Sequence, residues 1–500
     1  MKLHQIILSL SASLAITHVH AAPSIPVCKQ LGQKFPKVTY AAGSTQYSSS
    51  VNLVWSETCV STPYCIFEPT STSQLADGLA IITGANARFA VRGVGHMPVP
   101  LANGINNGVL ISTTKFRQKT LVAGNSVLQL GPGQPWHDVY EYLSPYGLAV
   151  PGGRYSTVGV GGLLLGGGIN FFGSQVGFSF SSVINYEVVL ANSTIVNANA
   201  TKNADLFWAL KGGSNNFGIV TRFDIKTLPV AQVYGGDTVY PQEQLNNFLS
   251  AASAFIAPNG GSYDEKVAIN PNIVLDPSTG SVTGALQSFH NSADPAPAAL
   301  AGFAAIPSTS TTNKVRSSFA AFTNDTNTAL YGGPGTRRLF ASTAIKVSND
   351  TIGLLNRTFT DSVSSQLTAL SNKAGSSITL AMQPITKSWL QKARDAGGDA
   401  IDLDPAGGPF ITALITALWE SPDDDALINQ IANDFITRLD KASKAAGLDY
   451  SFRYMNDAAR GEAIYPLYGN GKSLPKLQKI QKLYDPKNIL GRLLTTGFKL

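Results

Sequence analysis

Glycine dominates one segment of the chain, which reads Val158-Gly159-Val160-Gly161-Gly162-Leu163-Leu164-Leu165-Gly166-Gly167-Gly168. Two further glycine-rich turns lie on either side of it, at residues 92–96 and 211–218. Such turns expose successive backbone N–H groups, which can hold a pyrophosphate without a cationic side chain. A single turn of this kind is more often only a tight turn. Three of them in one half of the chain, with His96 beside the first, favour a dinucleotide-binding domain.

Length and composition indicate a large folded protein. Its 500 residues exceed one ordinary hydrophobic core, so we expect two domains. Apolar residues make up 44% of the chain, which excludes a largely disordered protein. The formal net charge is 37 − 31 = +6, and the basic residues are scattered. Nucleic acid is therefore not an expected partner.

The N-terminus predicts a secreted protein. Lys2 precedes an apolar run at residues 6–16, and Val19 and Ala21 supply the small residues of a cleavage site, so residues 1–21 are predicted to be a signal peptide. This run is too short for a membrane span, and we expect none elsewhere. In the secretory pathway, five N-x-[ST] sequons would be sites of N-glycosylation. They begin at Asn192, Asn199, Asn324, Asn349 and Asn356.

The chain has three cysteines, Cys28, Cys59 and Cys65. In an oxidising compartment an odd count predicts one disulfide and one free thiol. We favour a Cys28–Cys65 bond, which would tie the N-terminal segment to the first strand. A Cys59–Cys65 bond stays open at this point.

Several other catalytic patterns fail. The chain has no G-x-S-x-G motif, because the run from Gly212 to Asn216 breaks at its last position. Beyond the predicted signal peptide the histidines are His96, His137 and His290, and none has a second histidine or cysteine at ligand spacing. A nucleophilic hydrolase is disfavoured, and no metal site is predicted.

The predicted elements change in character near residue 228. Before it, short strands and helices alternate with glycine turns, as in an α+β domain; one of these helices is predicted at residues 136–143. After it, helices are longer, and strands are predicted at 267–275, 281–289, 376–385 and 410–419. Helices are predicted at 241–256, after Pro422 and from Ser473. The second part is therefore a further α+β domain, and no linker separates the two.

Four motifs make a family resemblance visible. An R-S-G-G-H loop appears as Arg92-Gly93-Val94-Gly95-His96, and a V-G-V-G-G…G-G-G segment stands at 158–168. An L-F-W-A-L-[RK]-G-G-G-x-N-F-G-I-V-T stretch matches residues 206–221, and a Y-G…L…Y-D-P-x-N pattern matches 468–488. Residues 65–228 resemble the FAD-binding domain of the vanillyl-alcohol-oxidase/p-cresol-methylhydroxylase (PCMH) superfamily. Within it, the whole chain looks like the berberine-bridge-enzyme-like branch, which is abundant among secreted fungal oxidases.

The resemblance implies a fold class and a domain plan. The expected fold is α+β, with a PCMH-type FAD-binding domain and an α+β substrate domain made of an antiparallel sheet and helices. The FAD-binding domain would span residues 22–230, the substrate-binding domain 231–450, and a C-terminal berberine-bridge-like segment, 451–500, would return to the FAD domain.

The resemblance also implies how FAD is held. The family's loop histidine forms a covalent bond to the flavin, and His96 holds that place. Many relatives add a second bond from a cysteine, but Tyr155 stands there and cannot form a thioether. We therefore expect FAD attached by one bond, at His96. The expected contacts to FAD come from the three glycine-rich turns, at Arg92, Gly93, Val94, Gly95, Gly159, Gly161, Gly162, Gly218 and Val220.

Two substrate-contacting residues and a catalytic base follow from the same resemblance. Gln383, on the 376–385 strand, and Trp389 just after it are expected beside the substrate, although ordinary packing would explain both equally well. Relatives carry Y-x-N-Y at the end of a long strand, and the second tyrosine takes the proton. Here that motif reads Tyr454-Met455-Asn456-Asp457. We favour Asp457 as the base, with Tyr454 and Asn456 on the strand's other face. The alternative is that Asp457 caps a solvated turn at 458–460.

The leading functional interpretation is a secreted FAD-dependent oxidase. It would remove hydride from a C–H next to oxygen or nitrogen in a small organic substrate, and O₂ would reoxidise the flavin to give H₂O₂. One alternative is an FAD-dependent dehydrogenase or cyclase of secondary-metabolite biosynthesis. An alternative of another class is a non-catalytic protein that binds flavin or another small molecule. The substrate's identity and the oligomeric state do not follow from the sequence.

Overall fold

The structure, a computed structural model, describes residues 24–326, 335–364, 366, 369 and 375–500. The predicted signal peptide, residues 1–21, lies outside these residues and stays a prediction. Within the described ranges, no helix is long and apolar enough to cross a membrane.

The N-terminal part forms a four-stranded mixed sheet in the order β1-β2-β4-β3. Strand β1 is antiparallel to β2, whereas β2 and β3 both run parallel to β4. A parallel pair needs a crossover connection, and the helix between β2 and β3 supplies it. The elements are α1 (Ser24–Lys34), β1 (Thr39–Ala41), α2 (Thr45–Val51), β2 (Cys65–Phe67), α3 (Thr72–Gly84), β3 (Phe89–Arg92) and β4 (Val109–Ser112).

A five-stranded antiparallel sheet follows, in the order β5-β6-β10-β8-β9, and β7 pairs with β11 beside it. Glycine-rich turns connect these strands to short helices. The elements are β5 (Lys119–Val122), β6 (Val127–Leu130), α4 (Trp136–Leu143), β7 (Leu148–Ala149), α5 (Val160–Gly166), α6 (Gly173–Val176), β8 (Val183–Val189), β9 (Ile195–Asn199), α7 (Ala204–Leu210), β10 (Ile219–Lys226) and β11 (Leu228–Pro229).

The next part is an eight-stranded antiparallel sheet in the order β15-β12-β14-β13-β18-β19-β17, with β16 also paired to β12. Apolar faces of its helices form a common core with one side of this sheet. The elements are β12 (Val233–Tyr240), α8 (Leu245–Ile256), β13 (Val267–Asp276), β14 (Ser281–His290), α9 (Ala301–Ala304), β15 (Ser310–Thr311), β16 (Lys314–Arg316), α10 (Phe319–Thr326), β17 (Arg337–Lys346), α11 (Thr351–Ser364), β18 (Ser377–Ile385), α12 (Lys387–Asp395), β19 (Phe410–Trp419) and α13 (Asp425–Ala445).

The C-terminal segment runs back to the first sheet. It contains α14 (Ser473–Tyr484) and α15 (Ile489–Leu493). Leu494 forms a bridge with Phe89 of β3, and the N–H of Thr495 donates to the carbonyl of Phe89 at 3.0 Å.

An aromatic cluster joins the two parts of the molecule. Phe171 and Phe172, from the turn before α6, lie 5.1 and 5.3 Å from Phe289 of β14, between ring centroids. Phe319 and Phe322 of α10 complete the cluster. Buried aromatic pairs contribute beyond their area alone, so this cluster fixes the sheet against the glycine-rich turns.

The predicted α+β fold class is confirmed, and most predicted elements match to within two residues. The helix predicted at 241–256 is shorter, because residues 242–244 form a separate 3₁₀ turn before α8. A larger difference concerns residues 454–457, which were predicted to end a strand. Met455–Asp457 is instead a 3₁₀ turn.

The structure decides between the two cysteine pairings. Cys28 is bonded to Cys65, and Cys59 is a free, buried thiol that donates to the carbonyl of Met97 at 3.3 Å. The favoured pairing is confirmed, and the disulfide ties α1 to β2.

Loss of this disulfide should destabilise the protein measurably. Because the bond closes a sequence separation of 37 residues, Cys28→Ser should lower the free energy of unfolding by roughly 3–4 kcal/mol through the freed unfolded chain. Thermal unfolding of purified protein measures the effect. Cys59→Ser is the matched control, because it removes a buried sulfur without opening a loop. Equal unfolding temperatures for the two variants would contradict the expectation.

Candidate active site

A cavity of about 340 Å³ lies between the three glycine-rich turns and one face of the eight-stranded sheet. The turns border it with residues that were predicted to contact a dinucleotide. These are Gly93, Val94, Gly95, His96, Gly159, Gly161, Gly162, Gly218 and Val220.

The opposite wall comes from alternate residues of adjacent strands. Side chains at i and i+2 of a strand share one face, so β13, β18 and β19 each present a row of them. The rows are Asn270 and Asn272 of β13, Thr379, Ala381 and Gln383 of β18, and Leu414 and Thr416 of β19. This wall therefore combines hydrogen-bonding groups with apolar ones.

The glycines explain how backbone reaches the cavity. A Cβ on Gly159 would lie 2.9 Å from Cβ of Val94, and one on Gly161 would lie 3.0 Å from Cβ of Pro132. Any side chain at these positions would push apart turns that now touch. At Gly162 nothing lies within 4 Å of a Cβ, so its backbone borders open space. A ligand can therefore approach the main chain here, as a pyrophosphate requires.

Two buried side-chain oxygens also point to a ligand with hydrogen-bond donors. Oδ1 of Asn103 and Oδ1 of Asn270 have no hydrogen-bond partner among the described residues, and both asparagines line the cavity. An unpaired buried acceptor is costly, and a ligand donor would remove that cost. Together with the glycine turns, these groups fit FAD.

His96 lines the cavity, and one of its ring nitrogens is within hydrogen-bond distance of a threonine hydroxyl. Its Nε2 lies 3.1 Å from Oγ1 of Thr157, and its ring stacks on Trp55 with centroids 4.2 Å apart. Burial and the positive charge of Arg338 lower the pKa of His96 well below its ordinary value. The imidazole is therefore neutral at physiological pH, which is the nucleophilic form.

Tyr155, which stands where the resemblance implies a second flavin-linking cysteine, also lines the cavity.

Arg92 does not border the cavity, and the prediction that it contacts FAD is wrong for its side chain. The guanidinium points away, where Nη2 donates to the carbonyl and Oγ of Ser50 at 2.5 and 2.9 Å. Burial lowers the pKa of Arg92 to about 10, against the opposing charge of Glu68. Arg92 therefore anchors α2 beneath the loop that carries His96.

Asp457 is a buried carboxylate at the edge of the cavity. Its side chain is 9% exposed, and Oδ2 accepts a hydrogen bond from Nε2 of Gln383 at 2.7 Å. Burial raises the pKa of Asp457 to about 6, although Gln383 and Arg154 act in the opposite direction. This carboxylate is ionised at neutral pH and more basic than an exposed one. The alternative reading, a solvated capping residue, is wrong.

Gln383 is held from three sides. Its Nε2 also donates to Oγ1 of Thr412 at 3.0 Å, and Nη2 of Arg154 donates to its Oε1. Because the guanidinium can only donate, it fixes which end of the amide faces Asp457.

Tyr454 and Asn456 line the same cavity as Asp457, so the prediction that they lie on another face is wrong. The reason is the 3₁₀ turn, which brings residues i and i+3 to one side, whereas a strand would separate them. The Tyr454 hydroxyl accepts from the N–H groups of Gly168 and Ile169 at 3.0 and 2.9 Å and from Nδ2 of Asn456 at 3.1 Å. Burial and Asp457 still raise the pKa of Tyr454 to about 12, so it is protonated.

Trp389 lies outside this cavity, contrary to the prediction that it contacts substrate. Its indole is 4% exposed, packs over Gly173 and lies 5.5 Å from the Phe178 ring, between centroids. It borders a smaller space of about 20 Å³, which shares Arg154, Ile169 and Gln383 with the cavity and has room for one water molecule. Trp389 therefore fixes α12 against α6.

Sequence reasoning missed Arg154, Asn270 and Asn272. Arg154 directly precedes Tyr155, but its contact with Gln383 joins residues 229 positions apart. The asparagines occupy alternate positions of a predicted strand, and that period is the one signal that marks them as sharing a face.

Comparison with known proteins agrees with this geometry. Residues 63–199 match the family model described as an FAD binding domain. The chain is 42% identical to the "FAD-dependent monooxygenase prx3" of Penicillium roqueforti over 477 residues, which is 95% of this chain and 93% of that protein.

Two solved structures share the fold over almost the whole chain. The xylooligosaccharide oxidase of Myceliophthora thermophila C1, in complex with xylobiose, matches with a TM-score of 0.75 and 19% identity, over 95% of this chain and all of that one. The Physcomitrella patens BBE-like 1 protein matches with a TM-score of 0.70 and 19% identity, over 92% and 97%. With an FAD-binding domain and a 42% identical flavoenzyme relative, the non-catalytic alternative is set aside. The chain belongs to the FAD-linked oxidoreductases that carry this FAD-binding domain, and it shares its fold with the berberine-bridge-enzyme-like protein of Physcomitrella patens.

Proposed function

We propose that the protein is an oxidase that removes hydride from a C–H next to oxygen or nitrogen in a small organic substrate, with O₂ reduced to H₂O₂. The single observation that carries this proposal is the position of Asp457. A buried carboxylate with a pKa of about 6 lies in the same cavity as His96 and the glycine-rich turns. Bound FAD would supply the acceptor for the hydride, which carries two electrons.

The chain's own residues would handle the proton. Asp457 takes the proton from the substrate's O–H or N–H, because its carboxylate is ionised above about pH 6. Gln383 keeps Oδ2 in place and leaves the other carboxylate oxygen, Oδ1, to face the substrate. Arg154 keeps the Gln383 amide in the orientation that donates.

The sheet would orient the substrate. Asn270, Asn272, Thr379 and Thr416 present amide and hydroxyl groups to the cavity, between apolar Ala381 and Leu414. Such a wall suits a molecule with an apolar body and a few oxygen or nitrogen functions.

We further propose that FAD is held by one covalent bond, at His96. A neutral imidazole in the cavity and a tyrosine at position 155 support this proposal.

A panel of substrates tests the proposed reaction. Purified holoprotein is titrated anaerobically with oligosaccharides, benzylic alcohols and cyclic amines while the flavin absorbance is recorded, and air is then admitted. If the protein is an oxidase, its substrate bleaches the flavin, air restores the colour, and one H₂O₂ is released for each molecule of product. Failure of every C–H donor to bleach the flavin, with bleaching by NADPH instead, would contradict the proposal.

A second candidate is oxygen insertion, because the 42% identical relative from Penicillium roqueforti is named an FAD-dependent monooxygenase. With ¹⁸O₂, a monooxygenase places one labelled atom in the product, whereas an oxidase places none. A dehydrogenase or cyclase would give product with little O₂ consumed. One incubation in which both the label in the product and the O₂ consumed are measured therefore distinguishes the three reactions.

We also propose that the protein enters the secretory pathway. The disulfide between Cys28 and Cys65 supports an oxidising compartment. Three of the five sequon asparagines are exposed, Asn192, Asn324 and Asn349, whereas Asn199 and Asn356 are partly buried. Nδ2 of Asn199 donates to Oδ1 of Asn185 at 3.1 Å, and a glycan there would remove that hydrogen bond.

Protein made in a eukaryotic secretory host should lack residues 1–21 and carry N-linked glycans. Treatment with a peptide-N-glycosidase should then increase its gel mobility, and Asn192→Gln and Asn349→Gln should each remove one glycan. Intact Met1 by mass spectrometry, with unchanged mobility, would rule out the secretory route.

A further inference from the structure

We propose that Arg338 acts through Trp55 to position the imidazole of His96 for its covalent bond to FAD. This inference rests on the proposed attachment at His96. It assigns a role to two residues that no motif of the chain marks, one of them contributed by the strand β17 of the large sheet.

Trp55 is held between the two partners. Its ring stacks on His96 with an angle of 16° between the planes, and the Arg338 guanidinium carbon lies 4.6 Å from its ring centroid. The backbone N–H of Trp55 donates to the carbonyl of Gly95, the residue directly before His96, at 3.0 Å. Indole Nε1 has no hydrogen-bond partner among the described residues. The indole ring is therefore oriented by the imidazole of His96, the guanidinium of Arg338 and the Trp55 backbone, and not by a hydrogen bond of its own Nε1.

Arg338 is buried beside Trp55 and held by hydrogen bonds. It is 4% exposed, and Nη1 donates to the carbonyl of Trp55. Its backbone N–H also donates to Oγ of Ser56 at 2.9 Å. A guanidinium over an indole is a favourable cation–π arrangement, and it is stronger when water is excluded.

The consequence for His96 is both geometric and electrostatic. The stack sets the plane of the ring, and Nε2 lies within hydrogen-bond distance of Oγ1 of Thr157. Burial, and after it the nearby guanidinium charge, disfavours the imidazolium form and lowers the pKa of His96, so the ring stays in its nucleophilic form. Other titratable groups near the ring are the cavity residues Arg154, Tyr155, Tyr454 and Asp457, the exposed Glu57 and the thiol of Cys59.

The bond itself balances with O₂ as oxidant. The imidazole nitrogen gains a bond to the C8 methyl carbon of FAD; that carbon and the imidazole each lose one hydrogen, and O₂ takes both with two electrons as H₂O₂. Arg338 and Trp55 exchange no atoms in this step and are positioning residues.

The experiment measures covalent incorporation, not turnover. Full-length protein made under riboflavin limitation is incubated with FAD between about pH 5 and 8, and acid-precipitable flavin is followed over time. In Arg338→Met the rate should fall about tenfold over this whole pH range, because the indole and the imidazole stacked on it lose the guanidinium that holds them. The shape of the pH profile should not change, because burial is the larger cause of the lowered pKa of His96. Arg338→Lys should restore most of the rate. Trp55→Leu should slow incorporation at every pH, and Trp55→Phe should restore it.

Arg337→Met is the matched control. Arg337 is the neighbour of Arg338 on β17, and its side chain pairs with Asp425 on α13, away from His96. Its variant should incorporate FAD as wild type does, even if it is less stable. Equal rates for Arg338→Met and wild type, or equal losses in Arg338→Met and Arg337→Met, would overturn the proposal. Wild-type protein that binds FAD but releases all of it in acid would overturn the covalent bond itself and this proposal with it.

Discussion

Asp457→Asn should slow flavin reduction by roughly a hundredfold or more once a substrate is known. The amide can still accept the hydrogen bond from Gln383, so the turn and the cavity keep their shape. It cannot take a proton, which removes the only function that the substitution targets. Stopped-flow measurement of anaerobic reduction gives the rate directly.

The wild-type rate should also depend on pH with a defined sign. A base is active only when deprotonated, and burial raises the pKa of Asp457 to about 6. The reduction rate should therefore fall about tenfold per pH unit below roughly pH 6 and level off above it. In Asp457→Asn the fall of the rate below about pH 6 should disappear.

Tyr454→Phe is the control for the alternative base. Its hydroxyl is protonated and accepts three hydrogen bonds, so its loss should leave the N–H groups of Gly168 and Ile169 unpaired. We expect a loss of stability of about 1–3 kcal/mol and a modest change in rate. A rate that collapses in Tyr454→Phe and stays unchanged in Asp457→Asn would move the role of base to Tyr454.

His96→Ala should abolish covalent attachment completely. Acid-precipitated wild-type protein should stay yellow, and its flavin-bearing tryptic peptide should contain His96. Precipitated His96→Ala should be colourless, with all flavin in the supernatant. The physical reason is that no cysteine is among the described residues that line the cavity and that Tyr155 stands in the place of one.

Two outcomes would change this conclusion. Wild-type protein that loses all colour to the supernatant would exclude the bond at His96. A second flavin-bearing peptide in wild type would show attachment at two positions. Tyr155→Cys offers a positive control, because it restores the thiol that many relatives use and should add a second bond.

Local sequence patterns predicted much of the fold correctly. The helix Trp136–Leu143 was predicted with the bounds that the structure shows, and the strand Ser377–Ile385 differs by one residue. The glycines at 159, 161 and 162 line the cavity, and their contact with FAD stays a prediction. The helix and strand predictions succeed because periodicity and helix ends depend on residues close together in the chain.

Site residues were harder to predict where one contact depends on distant segments. Arg92 belongs to a recognisable motif, yet its side chain turns to Ser50 instead of the ligand. Asp457 was chosen by its place in a motif, whereas its raised pKa comes from burial by elements that the motif does not contain.

Side-chain direction and long-range partners could be found only in the folded chain. Residues 454–457 could alternate or share a face, and only packing selects the 3₁₀ turn that brings Tyr454 and Asp457 together. Arg154 meets Gln383 across 229 positions, and Arg338 reaches Ser56 across 282. Closing such large loops depends on the whole core, so no window of sequence contains the information. The glycine-rich turns predicted a dinucleotide, and the resemblance of the motifs implied FAD. The environment of Asp457 and His96 forms only where the large sheet packs over them.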